Sequence, residues 1–235
     1  MSQWILRGLK TGIKSTAYPA GAEDCAGVSP GFPVMTRRPE TEARALAARC
    51  PTSALRDIGE RVEVDYRRCV HCYRCVRETE TPMNWERDFE RATIKPGGTV
   101  LDPAFERSIH VLVVDAGDCG ACLNEVRQLN NPYYNMHRLG FFITPTPRQA
   151  DVLLVVGPVT DQMRVPLRKA YDAMPAPKCV MAVGACALSG GVFGPSFMAG
   201  AGVSEAIPVD IEVPGNPPPP LAILHGLLVA AGRKK

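Results

Sequence analysis

Seven of the nine cysteines fall into two groups whose spacing suits metal chemistry. In the first group, Cys69-Val-His-Cys72-Tyr-Arg-Cys75 has C-x2-C-x2-C spacing, and Cys50-Pro51 stands nineteen residues earlier. Three thiolates within seven residues can wrap one cuboidal cluster, each reaching a different iron, with a more distant cysteine as the fourth ligand. Cys50, Cys69, Cys72 and Cys75 are therefore assigned to one [4Fe–4S] cluster. Zinc is the competing metal, with His71 as a ligand on that reading only. Structural zinc sites usually space their ligands as two separated pairs, which this run does not.

The pattern resembles a bacterial-type ferredoxin that has lost one of two clusters. Counting back from Cys50-Pro51, the first run of such a protein would place cysteines at 40, 43 and 46, where this chain has Glu40, Ala43 and Leu46. The second run would give its fourth cysteine to the same lost cluster at Thr79. All four ligands of one cluster are gone and all four of the other remain.

The second group is Cys119, Cys122 and Cys186. Cys119-Gly-Ala-Cys122 follows the apolar run His110–Val114, and Gly184-Ala-Cys186 follows Cys179–Val183. Both runs read as buried parallel strands. Loops at the carboxyl ends of strands are where open α/β sheets bind ligands. The elements that must hold these cysteines are a third strand at Val152–Val156, a fourth at Ile207–Val213, and helices over Leu123–Leu139 (interrupted by Pro132), Met163–Met174 and Leu221–Ala231. Alternating strands and helices predict an α/β fold with a mostly parallel sheet. Pro96-Gly97-Gly98 reads as a linker. Cys179 reads as core, and Cys25 as a free thiol.

The bulk composition agrees. The 235 residues allow one large or two small domains, and 46% are apolar. A net charge of +3 is too mild to argue for a nucleic-acid partner. No apolar run reaches the roughly 18 residues of a bilayer span, and the N-terminus lacks the pattern of a secretory signal. Tight cysteine triplets without an export signal are a poor disulfide framework.

Residues 108–235 resemble the small subunit of energy-converting [NiFe]-hydrogenases of the formate hydrogenlyase type, and the related B (20 kDa) subunit of respiratory complex I. The resemblance is carried by Cys119-Gly-Ala-Cys122-Leu-Asn-Glu125, Thr144–Asp151, Gly157–Thr160, Gly184-Ala-Cys186 with Ser189–Gly191, and Pro208–Asp210 with Val213–Pro218. The spaced pair Cys119/Cys122 matches the hydrogenase branch. Leu9–Gly12 with Thr16–Pro19 is similar to the start of the ferredoxin-like subunit of the same complexes. The chain thus looks like a fusion: a one-cluster ferredoxin-like α+β segment at 1–98, then a flavodoxin-like domain at 108–235.

The resemblance implies a second cluster on Cys119, Cys122, Cys186 and a fourth cysteine. This chain has Asn216 at that fourth position, in Pro214-Gly-Asn216-Pro-Pro218. An amide oxygen is a poor substitute for a soft thiolate on iron. The alternatives are a cluster with incomplete cysteine ligation, an empty relic site, or a substitution peculiar to this sequence. The resemblance further implies an electron-transfer subunit that is not itself catalytic, on the cytoplasmic face of the inner membrane. Its partners would be a hydrogenase large-subunit-like protein, similar to the D-type component of complex I, and membrane subunits. Glu125 would serve proton transfer, against the plainer reading of a first-turn acid that suits the helix dipole. Asn216 equally suits a structural or assembly subunit. A free ferredoxin-like carrier would not need the α/β part, and a zinc-binding regulator lacks a recognition motif.

Overall fold

The structure is a computed structural model that describes residues 3–21, 23, 29–77 and 79–234; Cys25 lies outside them. In chain order the elements begin with α1 (Gln3–Thr11), β1 (Phe32–Pro33), β2 (Thr36–Arg37), α2 (Glu40–Arg49), β3 (Leu55–Asp57), β4 (Arg61–Val64), β5 (Trp85–Glu86) and β6 (Thr93–Ile94). They continue with β7 (Ile109–Asp115), α3 (Ala121–Gln128), β8 (Phe141–Ile143), β9 (Val152–Val156), α4 (Asp161–Ala173), β10 (Cys179–Val183), α5 (Ala185–Ser189), β11 (Ile211–Val213) and α6 (Pro220–Ala230).

The larger sheet has the order β6-β11-β10-β9-β7-β8, with β6 its single antiparallel member. Its five parallel strands, numbered along the chain, lie in the order 2-1-3-4-5, which is consistent with a flavodoxin-like domain. β9 and β10 are buried along their whole length, as their continuous apolar sequences predict for strands covered on both faces. One face carries a core with α3 and α6, including Leu129, Leu154, Met181, Ile223 and Leu227. The other carries α4 and α5, with Leu153, Val155, Leu167, Val180 and Leu188. Cys179 is wholly buried in β10, as expected of a core residue.

Residues 36–64 form a smaller unit, a three-stranded antiparallel sheet in the order β2-β4-β3 packed against α2. Ala43 and Leu46 are buried in its core with Leu55, Val62, Val64 and Met83. Two of the positions where a second cluster would have needed thiols are therefore filled by helix-to-sheet packing.

Several elements differ from expectation. The helix predicted over Leu123–Leu139 ends at Gln128, ahead of Pro132, and a 3-10 turn at Met136–Leu139 leads into β8. The predicted fourth strand shortens to Ile211–Val213. Pro96-Gly-Gly98 is a packed turn: Gly98 donates to the Lys95 carbonyl, and Thr99 donates to Asp210 at 2.7 Å. The strip from Phe89 to Leu101 covers α6, with Ala92 donating to His225 Nδ1 and Leu101 to the Ala230 carbonyl. That cover explains how α6 can be apolar all round and buried at every residue.

Candidate iron–sulfur sites

Cys50, Cys69, Cys72 and Cys75 line one cavity, walled also by Leu46, Val70, Tyr73 and Trp85. Cys50 stands at the C-terminal end of α2, where Ala54 donates its N–H to the Cys50 sulfur at 3.2 Å. The other three ride on a loop that begins with a 3-10 turn at Tyr66–Arg68, capped by the Asp65 carboxylate on the Arg67 N–H. His71 and Tyr73 both take positive φ, 50° and 59°, so the loop curls tightly between successive cysteines. Burial pushes the Cys69 thiol up to about 12 and raises Cys75 as well. Cys72 is exposed, and Arg49, Arg74 and Arg77 line the pocket over it.

Among the described residues, no three His, Cys, Asp or Glu side chains are arranged to hold a single metal ion. A zinc ion needs its donors within about 2.0–2.3 Å of one point. Four thiols around one largely apolar-walled cavity are the donor set that an iron–sulfur cluster takes. His71, between two of these cysteines, is half-buried. Its ring packs edge-on to Phe32 at 4.8 Å and to Trp85 at 5.8 Å, and burial lowers its pKa to about 4.

The second set sits at the carboxyl edge of the large sheet. Cys119 lies in the loop after β7, Cys122 in the first turn of α3, and Cys186 in α5 after β10. Asp115 accepts from the N–H groups of Gly117 and Asp118, and Asp118 accepts from Gly120 and Leu123, which caps α3. These two carboxylates shape the cysteine loop, a role that nothing in their spacing along the sequence marked. Burial raises the Cys122 and Cys186 thiols, and the three thiols and Asp118 act on one another electrostatically. Two glycines make room for the sulfurs. A Cβ on Gly184 would lie 2.6 Å from the Cys122 sulfur, and one on Gly191 would lie 2.6 Å from that of Cys186.

Asn216 follows Gly215, whose carbonyl accepts from Ala185 beside this site. Asn216 Nδ2 donates to the Val70 carbonyl at 3.2 Å, between Cys69 and His71. Further bonds join the two cysteine regions. Arg67 pairs with the buried Glu212 at 2.9 Å and reaches the Leu188 carbonyl, while Ser189 donates to the Arg67 carbonyl. Glu125 is not a first-turn acid: it is the fifth residue of α3, whose first turn holds none. It lines a pocket with His71, Tyr73, Tyr134 and Asn216, and burial raises its pKa.

A mostly parallel α/β sheet with cysteines just beyond two strand ends defines the class: an α/β domain of flavodoxin-like strand order. The chain belongs to the NADH ubiquinone oxidoreductase 20 Kd subunit family, whose model matches residues 119–230. It is 44% identical over 124 residues to a probable membrane-bound hydrogenase subunit of Pyrococcus furiosus, covering 53% of this chain and 74% of that one. It is 39% identical over 127 residues to formate hydrogenlyase subunit 7 of Escherichia coli, covering 54% of this chain and 50% of that one. Among solved structures, a chain of an archaeal membrane-bound sulfane sulfur reductase complex is similar, with a TM-score of 0.50 at 29% identity. That match covers 56% of this chain and 75% of the other.

Proposed function

We propose that this chain is an iron–sulfur electron-transfer subunit of a membrane-associated, hydrogenase-like oxidoreductase complex, relaying electrons toward a large-subunit active site. The observation that carries the reading is the convergence of Cys50, Cys69, Cys72 and Cys75 on one cavity. A [4Fe–4S] cluster bound there would supply one-electron redox chemistry. The protein's part is to hold the thiols and set their surroundings. Buried thiols that are neutral in the metal-free protein must give up their protons when iron binds. The N–H of Ala54 stabilises charge on the Cys50 sulfur. Leu46, Val70 and Trp85 exclude water from one side, and the exposed Cys72 leaves the other side open to exchange with a partner.

In this reading residues 1–98 form an N-terminal extension with a one-cluster ferredoxin-like segment, and 108–235 form the family domain. The partners are a large-subunit-like protein and membrane subunits of the complex, and the chain sits peripherally on the cytoplasmic side. No described helix is long and apolar enough to cross a membrane.

One observation favours a second reading, a structural or assembly subunit whose second site is degenerate. At the fourth-ligand position that the resemblance implies, Asn216 carries an amide, whose Nδ2 donates to the Val70 carbonyl. Anaerobic iron and sulfide quantitation with EPR of the reduced protein separates the two. About four irons per chain mean that the first site alone is filled, and close to twice that means both. Fewer than about three after anaerobic reconstitution would overturn the cluster assignment.

A further inference from the structure

The N-terminal helix α1 makes no use of the protein core: none of its residues is buried. At about 100° per residue, Trp4, Ile5, Leu6 and Leu9 fall on one side of it, while Gln3, Arg7, Lys10 and Thr11 fall on the other. Trp4 and Leu9 are each 74% exposed, and Ile13, just past the helix, is 90% exposed. Isolated exposed apolar residues are ordinary, but a whole helix face of them is not.

The charges are as one-sided as the apolar groups. Residues 1–22 carry Arg7, Lys10 and Lys14 and no acidic residue. The helix stops at Gly12, whose N–H bonds to the Gly8 carbonyl. Thr16 then donates to the Tyr133 carbonyl and Tyr18 enters the main core against Phe89. α1 is therefore a free-standing amphipathic arm on a fixed base.

We propose that α1 lies in the headgroup region of an anionic lipid bilayer, with Trp4, Ile5, Leu6 and Leu9 turned toward the acyl chains and Arg7, Lys10 and Lys14 among the phosphates. A polar face whose only charges are cations selects lipid over a protein groove: it complements a continuous negative surface, and a tryptophan at one edge suits the interface. The proposal rests on this helix alone and stands or falls separately from the cluster assignment.

The test is co-sedimentation of the full chain with phosphatidylcholine vesicles, with and without phosphatidylglycerol. Wild type should pellet with the anionic vesicles at low salt and far less with the neutral ones. Lys10→Gln should weaken partitioning about fivefold, and Leu9→Glu at least about tenfold. Trp4 fluorescence should be quenched by brominated lipid, and Trp4→Phe should remove that quenching. Unchanged circular dichroism and iron content would show that the variants are folded, as expected for a helix outside the core. Failure of wild type to bind anionic vesicles, equal binding to neutral ones, or Leu9→Glu binding like wild type would each overturn the proposal. Loss of a co-purifying membrane subunit from Leu9→Glu, with no vesicle binding by wild type, would reassign the helix to a protein surface.

Discussion

The two cysteine regions are built on opposite principles. The first draws its four thiols from a short helix end and a tightly curled loop, and all four face one cavity. The second gathers three thiols just beyond the ends of β7 and β10 in a large, mostly parallel sheet, and the fourth position that the resemblance implies carries an amide that bonds to Val70. In the proposed reading the smaller scaffold carries the complete ligand set and the larger scaffold the incomplete one, so the two sites can be perturbed separately.

The sharpest break in the comparison is Cys69→Ala. It removes the most buried thiol of the first set and should cost about four irons per chain, with loss of the matching EPR signal. Cys122→Ala should leave that signal intact. Retention of full iron content by Cys69→Ala would mean that the cavity is not the cluster site. Next in size is Asn216→Cys, which puts a soft ligand at the fourth position that the resemblance implies for the second site while removing the bond to Val70. If the second site is empty in wild type, this variant should gain about four irons. If it is already filled on three thiols, the total should scarcely change while the EPR spectrum does.

How far the sequence could be read follows the same division. Continuous apolar runs located β7, β9 and β10 almost residue for residue, because strands covered on both faces need apolar residues throughout. The short edge strands β6 and β8 were missed, since two or three residues carry no period. The spacing of Cys69, Cys72 and Cys75 was legible because ligand chemistry acts over a few residues. The bonds from Asn216 to Val70 and from Arg67 to Glu212 were not, because their partners lie more than a hundred positions apart. Glu125 was misjudged as a first-turn acid because α3 begins at Ala121, earlier than its apolar pattern suggested.

Two smaller predictions test how the scaffolds hold their sulfurs. Gly184 has φ 92° and ψ 155°, a region almost confined to glycine, and faces the Cys122 sulfur. Gly184→Ala should cost about 2 kcal/mol or more and lower Tm by about 4–8 °C, with iron loss confined to the second site if that site is loaded. An unchanged Tm would mean that the loop relaxes freely. Arg67→Ala leaves the buried Glu212 carboxylate unpaired, but Arg67 is half-exposed, so solvent screens the pair. The expected cost is about 1–2 kcal/mol, seen as a Tm drop of about 2–8 °C. A larger loss of first-site iron than of Tm would mean that this pair positions the cysteine loop.

The smallest effect is expected at Glu125, which lines the pocket between the two regions. Burial raises its carboxyl pKa, so the folded chain holds the proton more tightly than the unfolded chain. Between the unfolded value, about 4.3, and the higher folded value, folding takes up a proton. Stability from this group is therefore full below that window and is lost as pH rises through it. Glu125→Gln removes the titration. Its unfolding midpoint should match wild type near pH 4 and exceed it near pH 7, by no more than about 2 °C given the solvent around a half-buried group. Parallel profiles would mean that burial does not act on this carboxyl.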